Sequence, residues 1–417
     1  MGIILQNVSL LRTDPYPWNV LIEKGVIRAV SQEPLAGGEA VVDGAGRLLV
    51  PGFVDLHTHL REPGFEDKET IASGTLAAAK GGYIKICAMP NTDPVPDSPK
   101  RVKEILKLLQ DRASIPVEVV AAATVSRAGR VASPAGALRA AGAIALSDDG
   151  SGIQDLTVLT EVLKQCKGAS LPYFSHCEDR ELAAGGIFQD TFPGEAEVKA
   201  LKRELEAVRK TGARYHLCHI STAESVELVA AAKAEGLKVT AEVTPHHLLL
   251  STEMVSEWGP LYKVNPPLRP EADRIALIQG LKEGIIDCIA TDHAPHTAAE
   301  KALPIEEAPF GISGIELSFP MLYSGLVLTG EISLRRVLDA LITKPRKILG
   351  NPQPRLELAE GDPADLTLLD LALIQEVRAE TMVSRGKNTP FLGQKLQGWP
   401  VLTLVSGRIV WQAEVLS

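Results

Sequence analysis

The feature that most limits the fold of this chain is a series of eight short apolar segments between residues 54 and 296, each ending in polar or metal-binding residues. Helix-like segments rich in Ala, Leu, Glu, Lys and Arg lie between most of them. Strands that alternate with helices pair in parallel, so eight such units predict a closed (β/α)8 TIM-type barrel. The apolar segments are Val54–His59, Ile84–Thr92, Val117–Val125, Ala143–Asp149, Leu171–Glu178, Arg214–Thr222, Leu237–His247 and Asp287–His296, and the helix-like ones are Glu69–Lys80, Lys100–Arg112, Gly194–Thr211, Ala223–Gly236 and Asp273–Glu283.

Both ends of the chain have a strand-and-turn composition instead. The simplest arrangement joins the two ends in one small domain beside the barrel. We therefore predict an α/β protein in which residues 51–349 form the barrel, while residues 1–50 and 350–417 together form a small β-sandwich domain. The apolar β-type runs are Ile3–Leu5, Val20–Ile22, Ile27–Val30, Ala40–Asp43 and Leu48–Val50 at the N-terminal end, and Leu366–Leu369, Thr381–Ser384, Val401–Val405 and Arg408–Val410 at the C-terminal end.

Composition and charge argue against several classes of function. The formal net charge of −9 disfavours a general nucleic-acid or anionic-membrane binder. No stretch reaches 18 uninterrupted apolar residues, and the first 20 residues lack the basic start and apolar core of a signal peptide. The five cysteines are odd in number and form no CxxC pair, which favours a reducing compartment. We therefore expect a cytoplasmic protein that acts on a small molecule.

The distribution of the histidines indicates one functional site. All nine lie at or near the C-terminal end of a predicted barrel strand, and neither residues 1–56 nor 297–417 contain any. The C-terminal ends of barrel strands share one face, where active sites of this fold lie. They are His57, His59, His176, His216, His219, His246, His247, His293 and His296.

The strongest local motif is His57-Thr58-His59 at the end of the first barrel strand. Side chains at positions i and i+2 of a strand point the same way, so both imidazoles face the barrel mouth. Imidazole suits zinc and related divalent metals. The fourth, fifth, sixth and eighth strands add further His and Asp side chains, enough for two metal ions that share a carboxylate. His216 competes with His219, and Asp148 with Asp149, for one ligand position each.

These features resemble the amidohydrolase superfamily, and narrower motifs resemble the dihydroorotases of the longer, bacterial class I type. The resemblance covers nearly the whole chain. The similar motifs are HLREPG (59–64), MPNTDP (89–94), SDDGSGI (147–153), HCED (176–179), CHIST (218–222), EVTPHHL (242–248), KVNPPLR (263–269), TDHAPH (291–296), APFGISGIE (308–316) and SRGKNTPFLG (384–393).

The resemblance implies a metal-dependent cyclic amide hydrolase that interconverts N-carbamoyl-L-aspartate and L-dihydroorotate in pyrimidine biosynthesis. It implies one or two Zn²⁺ ions bridged by Asp149, and a metal-bridging hydroxide for which Asp292 is the general acid and base. It also favours His219 and Asp149 at the contested positions. The implied metal ligands are His57, His59, Asp149, His176, His219 and Asp292; Arg61, Asn91 and His296 would bind the substrate carboxylate, and Asn265 with Pro309, Phe310 and Gly311 would contact the ring.

Two other functions stay open at this point. The first is a hydrolase of hydantoin or allantoin, although such relatives use a carboxylated lysine after strand four and no lysine occurs between Lys107 and Lys164. The second is a catalytically silent scaffold for aspartate transcarbamoylase, although such subunits typically lack several metal ligands. We expect a homo-oligomer, and association with a transcarbamoylase is compatible with activity. The loop from Thr297 to Ile305 has the composition of either a lid or an ordinary surface loop.

Overall fold

The computed structural model describes residues 2–12, 16–188, 190–351 and 355–416, and eight parallel strands form its centre. Successive strands are neighbours throughout the sheet, which is the order of a (β/α)8 barrel and confirms the predicted fold. The barrel strands are β6 (Phe53–Thr58), β7 (Tyr83–Ala88), β8 (Val117–Ala122), β9 (Ala145–Ser147), β10 (Tyr173–Ser175), β11 (Tyr215–Leu217), β12 (Val239–Val243) and β13 (Cys288–Ile289).

Helices follow the barrel strands and bury their apolar faces against them. Each of the five helices predicted from composition is present within two residues of its predicted ends. No helix in the described ranges is both long and apolar enough to cross a membrane. The α-helices are α1 (Ile71–Lys80), α2 (Pro99–Arg112), α3 (Ala135–Ala141), α4 (Leu156–Ala169), α5 (Arg180–Ala183), α6 (Glu195–Thr211), α7 (Ala223–Ala234), α8 (Pro245–Leu249), α9 (Glu271–Glu283), α10 (Ala298–Lys301), α11 (Ser318–Leu322) and α12 (Leu334–Ile348).

The first and last strands meet at the mouth of the barrel. Thr58 and His293 form a parallel bridge, and the backbone N–H of His59 donates to the carbonyl of His293 at 2.9 Å. Beneath this bridge the buried carboxylate of Asp55 accepts hydrogen bonds from the backbone and hydroxyl of Thr291, at 3.1 and 2.5 Å. These contacts place the end of β6 directly beside the residues that follow β13.

Two four-stranded sheets from the chain ends form the β-sandwich. One shared apolar core unites them, with members such as Val20, Leu49, Leu368 and Leu402. The sheets therefore need both ends of the chain, as predicted. The first has the order β3-β2-β1-β4 and the second β16-β15-β14-β5; the strands are β1 (Gly2–Val8), β2 (Trp18–Glu23), β3 (Val26–Ser31), β4 (Ala40–Asp43), β5 (Leu48–Pro51), β14 (Leu366–Glu376), β15 (Lys395–Val405) and β16 (Arg408–Gln412).

One predicted strand is wrong. Residues Thr381–Ser384 form a short 3-10 turn and an irregular segment instead. No neighbouring strand satisfies their backbone N–H groups: Thr381 and Met382 donate to carbonyls within the turn, and Val383 and Ser384 donate to the carboxylate of Glu316 at 2.8 Å each. Residues 377–394 thus leave the sandwich between β14 and β15.

Candidate active site

The carboxylate of Asp149, two residues beyond β9, is the centre of the site. Its Oδ1 lies 3.4 Å from His57 Nε2, 3.5 Å from His176 Nδ1 and 3.6 Å from His219 Nε2. Its Oδ2 lies 3.6 Å from His59 Nε2. One buried carboxylate therefore faces four imidazoles that come from three different strand ends.

Asp292 faces the same Nε2 atoms of the two histidines of the first strand as Asp149 does. Its Oδ1 is 2.9 Å from His59 Nε2 and 3.5 Å from His57 Nε2. Both Asp292 and His219 have positive φ, at 47° and 33°, which is uncommon for residues other than glycine. Such backbone conformations are found where the surrounding structure holds a side chain in a functional position. All six predicted metal ligands are thus brought together.

The donor set fits a divalent metal. Among the described residues, His57 Nε2 and Asp149 Oδ1 are buried without a hydrogen-bond partner, although they face each other. Buried polar atoms are rarely left unpaired in native proteins, so these two point to a group between them. The atoms of His57, Asp149 and His219, and those of His57, His59 and Asp292, form two compact triads. Imidazole nitrogen and carboxylate oxygen are the ligands of catalytic zinc sites.

Charges within the site shift the pKa values of its histidines and aspartates. Burial alone would lower the pKa of His57, but the negative charges of Asp149 and Asp292 outweigh it and hold this pKa well above its usual range. Burial alone would raise the pKa of Asp149, but the charge of His57 and contacts with His176 and His219 hold it well below its usual range. Both aspartates are therefore ionised at neutral pH, and they attract positive charge into the site.

Three of the histidines have an acceptor on the nitrogen that faces away from Asp149. His57 Nδ1 lies 2.7 Å from Glu242 Oε1, His59 Nδ1 lies 2.8 Å from Asn91 Oδ1, and His176 Nε2 lies 3.0 Å from Glu178 Oε2. An acceptor requires a proton on the nitrogen that it faces, so the nitrogen that faces Asp149 is the one that would give up its proton and offer a lone pair when a metal binds. The sequence analysis assigned Asn91 to the substrate carboxylate and not to His59, and it missed Glu242 and Glu178 as partners of the histidines.

His216 lies behind the site. Its Nε2 is 2.9 Å from Glu242 Oε2, and its Nδ1 is 2.8 Å from the hydroxyl of Thr240 on β12. It points into the barrel interior from within β11, whereas His219 lies beyond the end of that strand and reaches Asp149. The structure thus separates the two candidates for one ligand position. Asp148 is likewise separated from Asp149, because its carboxylate accepts from the backbone N–H of Thr124 at 3.0 Å.

Two of the three predicted carboxylate-binding residues, Arg61 and His296, lie together at one edge of the mouth, whereas Asn91 contacts His59. Arg61 Nη2 lies 3.2 Å from His296 Nε2, and Arg61 Nε donates to the carbonyl of Pro295 at 3.1 Å. His296 Nε2 also lies 2.8 Å from the carbonyl of Phe310. Burial and the charges of Arg61 and Lys301 lower the pKa of His296 to about 3, so its imidazole is neutral at physiological pH.

The predicted ring contacts lie in two places, with Asn265 beside Glu178 and residues 309–311 beside His296. Asn265 Nδ2 donates to Glu178 Oε2 at 2.8 Å, while Asn265 Oδ1 is buried and has no hydrogen-bond partner among the described residues. Pro309 and Gly311 belong to a segment that two lysines hold. Lys301 Nζ donates to the carbonyl of Pro309 at 2.7 Å, and the Gly311 N–H donates to the carbonyl of Lys263 at 2.9 Å.

The loop after β13 is fixed by several contacts. Thr297 and Glu300 form a capping box at the start of α10, and Lys301 at its end also donates to the carbonyl of Pro260 at 2.9 Å. Lys263 Nζ donates to the carbonyls of Ile305 and Glu306 at 2.6 and 3.1 Å. In this conformation these hydrogen bonds therefore hold the loop from Thr297 to Ile305 beside the barrel mouth.

The remaining histidines contact other parts of the barrel mouth. His247 on α8 lies between the hydroxyl of Thr244 and the carbonyl of Pro266, at 2.7 and 3.0 Å. His293 accepts from the backbone N–H of Gly314 at 3.3 Å. His246 is buried, and burial holds its pKa well below the usual range. These residues support the mouth without facing Asp149.

Comparisons with known proteins agree with this site. A family model described as "Dihydro-orotase-like" matches residues 46–225. The chain is 46% identical to a dihydroorotase of Bacillus caldolyticus over 99% of each chain. It is also 45% identical to a dihydroorotase of Geobacillus thermodenitrificans, over 98% of this chain and 96% of the relative.

Solved structures of the same architecture extend the comparison. The chain superimposes on an L-hydantoinase (dihydropyrimidinase) from Arthrobacter aurescens with a TM-score of 0.89 and 27% identity, over 100% of this chain and 97% of the other. A dihydropyrimidinase from Brevibacillus agri gives a TM-score of 0.86 at 25% identity, over 99% and 96%. The barrel with its β-sandwich is therefore an arrangement that cyclic amide hydrolases share.

Proposed function

The chain belongs to the dihydroorotase family of cyclic amide hydrolases, and we propose that it interconverts N-carbamoyl-L-aspartate and L-dihydroorotate by a metal-dependent mechanism. The observation that carries the proposal is the carboxylate of Asp149, which faces four imidazoles at 3.4 to 3.6 Å. An aspartate here supplies two oxygens that two cations can share, and no lysine is needed.

The six ligands divide into two groups around Asp149. His57, His59 and Asp292 would hold one zinc ion, and His176 with His219 would hold the other. When bound, zinc lowers the pKa of a water molecule from 15.7 to about 7 and polarises the carbonyl that is attacked. Nitrogen and oxygen ligands also accept other divalent metals, so the elemental identity of the ion is part of the test.

Asp292 is the proposed general acid and base. In ring opening its carboxylate takes a proton from the attacking water and delivers it to the ring nitrogen as the carbon–nitrogen bond breaks. In ring closure the same proton moves in the opposite direction, and water leaves. Burial alone would raise the pKa of Asp292, but the charges of His57 and His59 hold it below its usual range, so the carboxylate is ionised before it takes a proton.

The substrate carboxylate is proposed to lie at Arg61, Asn91 and His296. The planar guanidinium of Arg61 can form paired, charge-assisted hydrogen bonds with a carboxylate. The unpartnered Asn265 Oδ1 is an acceptor for a ring N–H. The backbone of Pro309, Phe310 and Gly311 is proposed to complete the ring contacts.

The test is an assay in both directions that follows the absorbance of the dihydroorotate ring, together with elemental analysis for bound metal. We expect chelation to abolish turnover and zinc to restore it. Asp292→Asn should lower kcat by about 10²- to 10⁴-fold, the usual contribution of a general acid or base. Asp287→Asn is the matched control, because Asp287 precedes the same strand at the opposite end of the barrel and pairs with Lys233.

Three outcomes would contradict the proposal. Turnover that survives removal of metal would exclude the metal-dependent mechanism, and full activity of Asp292→Asn would exclude the role of Asp292. Preferential hydrolysis of hydantoin or allantoin would exclude the substrate. Homo-oligomerisation, association with an aspartate transcarbamoylase and a cytoplasmic location stay predictions from the sequence, and sedimentation with and without the transcarbamoylase tests the first two.

A further inference from the structure

The motif SRGKNTPFLG (384–393) lies far from the metal ligands in sequence, yet it returns from the β-sandwich to the barrel mouth. Two buried carboxylates anchor its start. Glu316 accepts from the backbone of Ser384, while Glu69 accepts from the hydroxyl of Ser384 at 2.5 Å and from the backbone of Arg385 at 3.1 Å. The segment then passes close to the residues that follow the last barrel strand.

Gly386 shows how closely the segment is packed there. A Cβ atom at this position would lie 2.5 Å from Pro295 Cβ and 2.8 Å from the backbone nitrogen of His296. Real Cβ atoms do not approach other atoms so closely, so only glycine fits without displacement. The C-terminal segment is therefore seated directly on Pro295 and His296.

Asn388 then joins two chain segments through one side chain. Its Oδ1 accepts from the backbone N–H of His296 at 2.8 Å and from the hydroxyl of Ser313 at 2.9 Å. Its Nδ2 donates to the carbonyls of Ala294 and Gly311, both at 3.0 Å. A carboxamide has two N–H groups and two acceptor sites on its oxygen, and all four are used here.

The two joined segments carry different parts of the proposed substrate site. Residues 294–296 follow β13 and present His296, the proposed carboxylate ligand, while residues 311–313 include Gly311, a proposed ring contact. The segments also contact each other directly, through the Ala294 N–H on the carbonyl of Ile312 at 2.9 Å. Asn388 adds three further contacts to the main chain of these segments, at His296, Ala294 and Gly311.

We propose that Asn388 is a positioning residue for substrate binding, which fixes His296 relative to Gly311. The inference rests on the proposed roles of these two residues in the proposed function. Asn388 is 4% exposed and touches neither Asp149 nor its histidines in the hydrogen bonds above, so its loss should weaken substrate binding without loss of metal. A change confined to substrate contacts raises KM more than it lowers kcat.

The experiment compares Asn388→Asp with wild-type holoenzyme. Aspartate has the same shape and keeps the acceptor for His296, but it replaces the donor to Ala294 and Gly311 with an oxygen that faces two carbonyl oxygens. We expect KM for dihydroorotate to rise about tenfold or more, with kcat within about threefold of wild type and an unchanged metal content. A buried group left in unfavourable contact also lowers stability, so the melting temperature is measured in parallel.

Asn19→Asp is the matched control. Asn19 is 8% exposed on β2 of the sandwich, where Nδ2 donates to the carbonyl of Glu33 at 3.0 Å and Oδ1 accepts from the backbone of Asn7 at 3.2 Å. Asn19 is likewise a buried amide whose hydrogen bonds join separate chain segments, but it is remote from the barrel mouth. We expect a comparable fall in melting temperature with an unchanged KM.

The outcomes separate this inference from the function on which it rests. Inactive wild-type holoenzyme refutes the proposed function, whereas active wild type with an unchanged KM in folded Asn388→Asp refutes the positioning role. An equal rise of KM in Asn19→Asp also refutes it, because the effect would then follow from stability. If Asn388→Asp does not fold, Ser313→Ala decides the question: removal of one of the four hydrogen bonds should raise KM several-fold, and an unchanged KM overturns the proposal.

Discussion

At the residue scale, Glu242 shows how a side chain outside the ligand set controls a ligand. Hydrogen bonds from His216 and His57 outweigh its burial and lower the pKa of Glu242 to about 2, so it is ionised and can only accept. His57 Nδ1 must then carry a proton, and its Nε2 faces Asp149. A carboxylate behind a metal-binding histidine fixes the tautomer and the ring orientation in this way.

We therefore expect Glu242→Gln to weaken metal binding. The amide can accept from only one of the two histidines, and it removes the negative charge that balances them. Substitutions of such partners typically cost 10- to 100-fold in metal affinity, which competition with a chelator would measure. Glu118→Gln on β8 is the control, because its carboxylate pairs with Lys85 near the N-terminal end of its strand, away from the proposed metal ligands. Equal metal affinity of the two variants would contradict the role of Glu242 in orienting His57.

Lys301 provides a prediction for stability against pH. It is 8% exposed, and burial together with the charge of Lys263 lowers its pKa from 10.5 to about 7. Between these two values the unfolded chain binds a proton that the folded chain does not, so stability rises with pH over this window. The contribution is up to about 1.4 kcal/mol per pH unit. Below pH 7 the folded chain carries the buried ammonium charge of Lys301, and this charge lowers the free energy of unfolding by its full amount.

Urea unfolding of wild type and Lys301→Met at several values between pH 7 and 10 measures this contribution. Methionine is apolar and of similar length, so the variant should show a flatter dependence of unfolding free energy on pH. Lys347→Met, at an exposed position on α12, should keep the wild-type slope. A slope that is the same in all three proteins would show that Lys301 titrates normally.

The convergence of the proposed metal-binding histidines and aspartates could be predicted, because each lies at or near the end of a predicted strand and strand ends of a barrel converge. The hydrogen-bond partners of these histidines could not be predicted, because the contact of His57 with Glu242 joins residues 185 positions apart. One signal was present in the sequence: Asp55 and Glu242 are acidic residues inside apolar runs, and a buried charge requires a partner. The pattern shows that a partner exists but does not identify it.

At the scale of single elements, the turn that carries His219 depends on a neighbouring helix. Glu197, in the first turn of α6, is buried and accepts from the backbone and hydroxyl of Ser221 at 3.1 and 2.5 Å. It also accepts from the hydroxyl of Thr222 at 3.2 Å, and Thr222 in turn caps α7. One carboxylate thus fixes the connection between β11 and α7, directly after His219, a proposed metal ligand.

Glu197→Gln should consequently destabilise the protein. The amide nitrogen would face N–H and O–H donors, and each buried donor left unsatisfied costs about 1–3 kcal/mol. We expect the unfolding free energy in urea to fall by about that amount. Glu195→Gln lies two residues earlier on the same helix at an exposed position and should change it by less than about 0.5 kcal/mol. Equal stability of the two variants would contradict the role of this carboxylate.

Strands and helices could be predicted wherever the local pattern of apolar residues agrees with the tertiary contacts. The barrel strands and five helices follow apolar periodicity, which burial in the barrel satisfies. The segment 381–384 has the apolar composition of a strand, but Glu316 and Glu69 provide its hydrogen bonds, and both belong to distant parts of the chain. The pattern of apolar residues contains no information about such side-chain acceptors, so the strand prediction was wrong there.

At the scale of the whole molecule, the β-sandwich and the barrel share an apolar core. Leu48, Val50 and Leu369 of the sandwich sheets belong to the same buried cluster as Phe53 and Tyr83 of the barrel. Hydrogen bonds cross the same boundary, from the hydroxyl of Thr367 to the carbonyl of Gly82 and from that of Thr403 to the carbonyl of Ala79, both at 2.7 Å. Removing either part would expose this apolar surface of the other to water.

We therefore expect both parts to unfold in a single transition, and the positions of the tryptophans allow a direct test. Three of the four, Trp18, Trp399 and Trp411, lie in the sandwich strands, and the fourth is Trp258. In the described ranges all twelve α-helices lie between residues 71 and 348. In a Trp258→Phe variant, tryptophan fluorescence therefore follows the sandwich, while helical circular dichroism follows the barrel.

Coincident urea midpoints by the two signals would show one cooperative unit, because two-state unfolding gives the same transition by every probe. A sandwich that melts at lower urea than the helices would show that the shared core contributes too little to couple the two parts. Trp258 packs against Phe188 with the rings tilted by 57° and their centroids 4.6 Å apart, and phenylalanine keeps an aromatic ring at this position. Wild-type protein, followed by circular dichroism alone, verifies that the substitution leaves the barrel transition in place.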